Sequence, residues 1–159
     1  MATHHWESGY PVAWVNPVNL RALAALPAAG AWDAAPTEQN VAGASAVTLY
    51  LTYTRGAAGG AFDWQLWVSP YSLAANAPAG AEEWTCESLQ DLGAVVAGAD
   101  TQNLVQRDYQ SYASQGAAVE AVAFGPIPLQ GVERVRVRAR ESGVVGTPGT
   151  LQISAELEP

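Results

Sequence analysis

Four arginines at every second position, Arg134, Arg136, Arg138 and Arg140, are the densest set of groups in this chain that could do chemistry. They alternate with Val135, Val137 and Ala139. Successive side chains of an extended strand point to opposite faces, so all four guanidinium groups leave one side of one strand. Two uses follow. In the first, the arginines meet Gln152, Ser154, Glu156 and Glu158 of the next strand in a cross-strand ladder, at roughly a few tenths of a kcal/mol per pair. In the second, the stripe docks an acidic partner surface, because a guanidinium grips carboxylates through two parallel bonds. Other reactive residue types are sparse. His4 and His5 are adjacent and point apart in an extended chain, which makes a poor metal site without a third ligand. Cys86 is the only cysteine; both histidines lie in the first five residues, so it reads as a small core hydrophobe and not as a nucleophile. Glu82 and Glu83, beside Trp84, read as solvated loop charges. No nucleophile elbow, P-loop, HExxH or CxxC motif is present. These residues predict a protein that is not an enzyme, with no cofactor and no metal.

The elements that carry these residues are strands. Val47–Tyr71 reads VTLYLTYTRGAAGGAFDWQLWVSPY. Val47, Leu49, Leu51 and Tyr53 share one face, opposite Thr48, Tyr50, Thr52 and Thr54. Phe62, Trp64, Leu66 and Val68 share another, opposite Asp63, Gln65 and Trp67. Period two with a Gly/Ala turn between predicts a β-hairpin. Further strands are predicted at Trp84–Leu89, Leu104–Ala113, Ala117–Phe124, Arg134–Ala139 and Thr150–Leu157. Gln115-Gly116 supplies a hairpin turn, Gly125-Pro126-Ile127-Pro128 ends a strand, and the last two strands form a closing hairpin. No long segment holds a 3.6-residue period. The expectation is an all-β, antiparallel sandwich, jelly-roll-like or Ig-like, of seven or eight strands.

Residues 1–45 differ from the rest. Trp6, Tyr10, Trp14 and Trp32 are spread among Pro11, Pro17, Pro27 and Pro36. Proline interrupts both helix and ladder, so this part reads as an extended arm, with a short strand or a helical turn near Asn19–Leu26. The sandwich is then residues 46–159. The arm aromatics are candidate intersubunit anchors. Tyr50 and Trp67, on the outer faces of their strands, are candidates for an interface or for stacking on a sugar.

The formal charge is −8, from 15 acidic and 7 basic residues, all of the latter arginine. An acidic chain is repelled by nucleic-acid backbones. No apolar run is long enough to span a bilayer, and MATHHWESGYP has neither the basic start nor the apolar segment of a signal peptide. A soluble protein made in the cytoplasm is expected, with no nucleic-acid or membrane partner. Only 14% of residues are charged, which suits a surface largely covered by neighbours and equally a GC-rich codon bias.

The segment TLYLTYTRGAAGG followed by WQLWVSPYS resembles a β domain of structural proteins from tailed bacteriophages and prophages. Glu83-Trp84 and the later GPIPLQGVERVRVRARESGVVGTPGTLQISAEL fit the same pattern of strands and turns. The resemblance spans residues 45–157 and leaves the arm uncovered. It implies a virion structural protein. The commonest role would be capsid decoration, binding the major capsid protein as a homo-oligomer, often a trimer. The alternatives are a tail or head–tail connector component and a carbohydrate-binding sandwich.

Overall fold

The computed structural model describes residues 17–28, 30–87, 89–91, 105–107, 109–143 and 146–159. Its strands are β1 (Val18–Ala25), β2 (Glu38–Asn40), β3 (Ala46–Thr54), β4 (Ala61–Ser69), β5 (Thr85–Cys86), β6 (Leu89–Asp91), β7 (Val105–Arg107), β8 (Gln110–Ala113), β9 (Val119–Pro128), β10 (Arg134–Glu141) and β11 (Thr150–Glu158). They form an all-β sandwich of two antiparallel sheets packed face to face. One has the order β1-β11-β3-β9; the other runs β2-β10-β4-β5, with β8 also paired to β4. The two sheets hold nine strands, more than the seven or eight expected; β6 and β7 pair separately.

The predicted faces are correct. Val47, Leu49, Leu51 and Tyr53 are buried, as are Phe62, Trp64 and Leu66, Val135, Val137 and Ala139, and Leu151, Ile153, Ala155 and Leu157. Together they fill the space between the sheets, each large side chain contributing about 1.5–3 kcal/mol by leaving water. Aromatic rings bridge the layers: Tyr53 lies 4.9 Å from Phe62, and Trp64 lies 5.1 Å edge-on to Phe124.

The predicted pairings are not correct. β3 pairs with β11 and β9, whereas β4 pairs with β10, β5 and β8. Val47–Tyr71 is therefore not a hairpin but an arch, with its two strands in opposite sheets. The same holds for β8 to β9 and for β10 to β11. Alternation reports which face is buried, and that is unchanged whether the next strand lies alongside or across the core. Strand limits also shift: of the expected strand Trp84–Leu89 only Thr85–Cys86 forms β5, and Leu89 opens β6. β9 continues through Pro128 with a register shift opposite Val47–Leu49. Leu104–Ala113 divides into β7 and β8.

The described part of the expected arm, residues 17–45, is built into the sandwich. β1 pairs with β11, β2 pairs with β10, and Leu20, Leu26, Val41 and Ala44 are core residues. Pro17, Pro27 and Pro36 lie outside the strands. No helix among the described residues is long and apolar enough to cross a membrane.

Candidate functional site: the arginine–tryptophan face and the buried clamps

The arginine stripe runs down the outer side of β10, but its neighbours differ from those expected. β11 is in the other sheet. In register beside the stripe on β4 are Ser69 opposite Arg134, Trp67 opposite Arg136, Gln65 opposite Arg138 and Asp63 opposite Arg140. Glu38 of β2 lies opposite Arg136 on the other flank. Indoles from three parts of the chain stack on the guanidinium groups. Trp84 lies 4.2 Å from Arg136 and 4.9 Å from Arg134. Trp67 lies 5.5 Å from Arg136 and 6.0 Å from Arg138. Trp32 lies 4.3 Å from Arg140 and Tyr109 5.5 Å from it. Each such contact is worth about 0.5–2 kcal/mol, more where water is excluded.

Most of the stripe's charge is committed within the molecule. Arg134 is only 7% exposed; it bonds Glu38 at 2.6 Å and Glu83 at 2.5 Å and donates to the Tyr71 carbonyl. Arg140 pairs with Asp63 at 2.9 Å, whose other oxygen accepts from Ser111. Arg138 donates to the Asp33 carbonyl. Arg136 has no carboxylate within ion-pair distance among the described residues, and its buried Nε–H has no acceptor. Burial pulls its guanidinium below the ordinary arginine value; Arg138 and Arg134 push the same way, against Glu38 and Glu83. Glu83 is thus a structural partner and not a free loop charge.

The aromatic candidates are placed as follows. Trp32 is half-buried against Arg140 and Tyr109 of its own chain, where it caps the end of the arginine stripe. Trp67 rests against Arg136 and Arg138, with its Nε1–H on Gln65. Tyr50 is 42% exposed on the outer face of the other sheet. Its hydroxyl donates to Glu156, and that bond raises its pKa. Trp6, Tyr10 and Trp14 lie outside the described residues, as do His4 and His5.

No protein-family model, curated protein or solved structure matches the chain.

Sequence reading passed over three carboxylates that join separate segments, Glu141 and Glu120 buried and Asp33 half-buried. Glu141, at the end of β10, is fully buried. Its Oε1 accepts from the Ala61 amide at 3.0 Å and the Gly143 amide at 3.1 Å. Its Oε2 accepts from the Gly149 amide at 2.9 Å and the Tyr53 hydroxyl at 3.3 Å. One side chain therefore ties the β3–β4 arch to the β10–β11 arch. Burial, then the Glu141 charge and hydrogen bond, push the Tyr53 phenol well above its ordinary pKa. Glycine at 149 is required by this closeness: a Cβ there would stand 2.5 Å from the Tyr53 ring and 2.6 Å from the Thr54 carbonyl.

Asp33 makes the second clamp. Its carboxylate takes two bonds from Arg21 of β1, at 2.8 and 3.1 Å, and one from the Ala139 amide of β10. Arg21 also donates to the carbonyls of Ala24, Ala25 and Leu151. The pair thus links the two sheets. Glu120 of β9 is the third, its Oε1 accepting from Ser114, Gln115 and Gly116 in the β8–β9 arch. The facing Tyr112 hydroxyl contributes most to lowering its pKa, ahead of those three donors and against burial. Glu120 Oε2 has no partner in strict hydrogen-bond geometry, so the Tyr112 contact is a loose one. Parity was the available signal: Glu141 shares the inward side with Val135, Val137 and Ala139, and Glu120 shares one with Val122 and Phe124. A charge on the inward side of a strand is expensive unless several donors meet it.

Proposed function

We propose that this protein is a non-enzymatic virion structural subunit: a capsid decoration protein that binds the major capsid protein, associates with copies of itself and braces the shell. The observation that carries this reading is the cross-bracing of the sandwich. Glu141, Asp33 and Glu120 each tie a sheet-crossing connection to a strand, and the arginine–tryptophan stack ties Trp32, Trp67 and Trp84 to β10. Side chains that elsewhere do chemistry are spent here on holding layers together, which suits a subunit that transmits force.

The outer face of β3 and β11 supports the docking role. Thr48, Tyr50, Thr52, Gln152 and Ser154 make a broad surface there with little charge, bordered by Glu156. Such a surface is desolvated more cheaply than a charged one. The mechanism is mechanical: interface added across capsomer junctions raises the barrier to their separation.

The test is to add the purified chain to tailed-phage capsids assembled from the major capsid protein encoded with it. Saturable binding and a higher temperature of capsid rupture are expected, both weakened by Tyr50→Ala. Capsids that neither bind the chain nor gain stability would refute the proposal. Ring or tube assemblies of the chain alone would favour the connector role instead.

A further inference from the structure

The sheet edges of this molecule are guarded unequally. A strand edge exposes unpaired amides and carbonyls that template association, and proteins blunt such edges with bulges, charges, prolines or short strands. β1 has register shifts after Asn19 and Arg21, and the Arg21 guanidinium bonds its own Ala24 and Ala25 carbonyls. In the other sheet the edges are short: β2, β5 and β8 run three, two and four residues. β9 runs ten residues. Its end from Gly125 to Pro128 is interrupted by the register shift and two prolines. Val119–Phe124 has neither device, and among the described residues only β3 pairs with it.

The chemistry of this stretch is equally unguarded. Its one charge, Glu120, is turned inward onto the β8–β9 arch. Val119 is 57% exposed, and Ala121 and Ala123 are exposed as well. Val122 and Phe124 share the inward parity but remain half-buried at the end of the sheet.

We propose that a second copy of this chain pairs along Val119–Phe124, β9 to β9 and antiparallel about a twofold axis, so that the two four-stranded sheets become one. An antiparallel pair about a twofold offers each strand the same row of donors and acceptors, so one unguarded edge is complementary to itself. Charge selects the place. A net charge of −8 opposes contact between copies over most of the surface, but the exposed positions of this edge carry none. The pairing also brings cover to the half-buried Val122 and Phe124. The inference rests on the self-association in the proposed function and names the edge that mediates it.

The test uses the purified full chain without capsids. Sedimentation velocity or native mass spectrometry over a concentration series should show a monomer–dimer equilibrium. Ala121→Lys with Ala123→Lys sets like charges against each other across the twofold and should weaken the dimer about tenfold or more. Circular dichroism should be unchanged, because both positions are exposed. Val119→Lys is the second variant, with the same expected direction. Hydrogen exchange at the amides of residues 119–124 should slow as the wild-type dimer forms and stay fast in the variants. A wild-type chain that is monomeric throughout, or an oligomer whose dissociation constant ignores all these substitutions, overturns the proposal. Capsid binding is read in a separate assay, so failure there bears on decoration and not on this edge.

Discussion

Replacing Glu141 by glutamine is expected to destabilise the sandwich nearly as much as replacing it by alanine, although size and polarity are kept. All four groups on this carboxylate are donors: the amides of Ala61, Gly143 and Gly149 and the Tyr53 hydroxyl. A carboxylate only accepts, whereas glutamine has one accepting oxygen and a donating amide nitrogen. Whichever way the glutamine turns, its NH2 faces two donors. With its oxygen toward Tyr53 and Gly149, the NH2 opposes Ala61 and Gly143. Gly143 keeps a second acceptor, the Ala61 carbonyl at 3.2 Å, and Ala61 is left bare. A buried donor without a partner costs about 1–3 kcal/mol, so the glutamine variant should lose about 2–4 kcal/mol. Alanine leaves Tyr53, Ala61 and Gly149 without acceptors and should lose about 3–5 kcal/mol. Domains of this kind have about 5–15 kcal/mol in total. At about 2–4 °C per kcal/mol, the glutamine variant should melt roughly 5–15 °C lower. Urea unfolding followed by tryptophan fluorescence gives the free energies, and calorimetry gives the Tm. Tyr53→Phe alone should cost about 0.5–1.5 kcal/mol, and that cost should vanish in the Glu141→Ala background. A Glu141→Gln variant within about 0.5 kcal/mol of the parent would show that the donors do not need the carboxylate, and the clamp argument would fail.

Two further outcomes follow from the other clamps. Asp33→Ala removes the one carboxylate that, among the described residues, pairs with the Arg21 guanidinium, which is 8% exposed and would keep only carbonyl acceptors; a loss of about 2–4 kcal/mol is expected in urea unfolding, and a change below about 0.5 kcal/mol would mean the pair carries no net stability. The folded Glu120 carboxyl is held below its ordinary value of 4.5 by Tyr112, Ser114 and the Gln115 and Gly116 amides. A folded value below the unfolded one gives stability that is present above about pH 4.5 and is lost as the pH falls through the folded value. Glu120→Gln should therefore lower Tm at neutral pH, with the gap to the parent closing in acid; a gap constant from pH 7 to pH 3 contradicts the assignment.

The candidate site was legible only in part. That Arg134, Arg136, Arg138 and Arg140 share one face follows from their spacing alone. That Trp67 shares the face follows only once β4 is known to lie beside β10, an adjacency that Val47–Tyr71, read as a hairpin, gave to β3. Trp32, Trp84 and Tyr109 arrive from connections far apart in the chain, and no local pattern announces that an indole will settle on a guanidinium. Glu141 and Glu120 carried a readable sign, a carboxylate on the inward side of a strand. Most of their donors are backbone amides in the connections between strands, which every residue type except proline supplies equally.

By itself the sequence determined the class, all-β and antiparallel, and the inward residues of nearly every long strand. The physical reason is local: the pleat alternates side chains whatever lies beside it, so burial of one face is written into each strand. Only the tertiary structure decided which strands are neighbours, that the arms of each apparent hairpin lie in opposite sheets, and that the outer side of β4 is buried too, with Asp63 and Gln65 under cover. A short connection can fold back within a sheet or cross the roughly 10 Å to its partner. The choice depends on packing across the whole core and on acceptors such as Glu141 that wait at the far end of another strand.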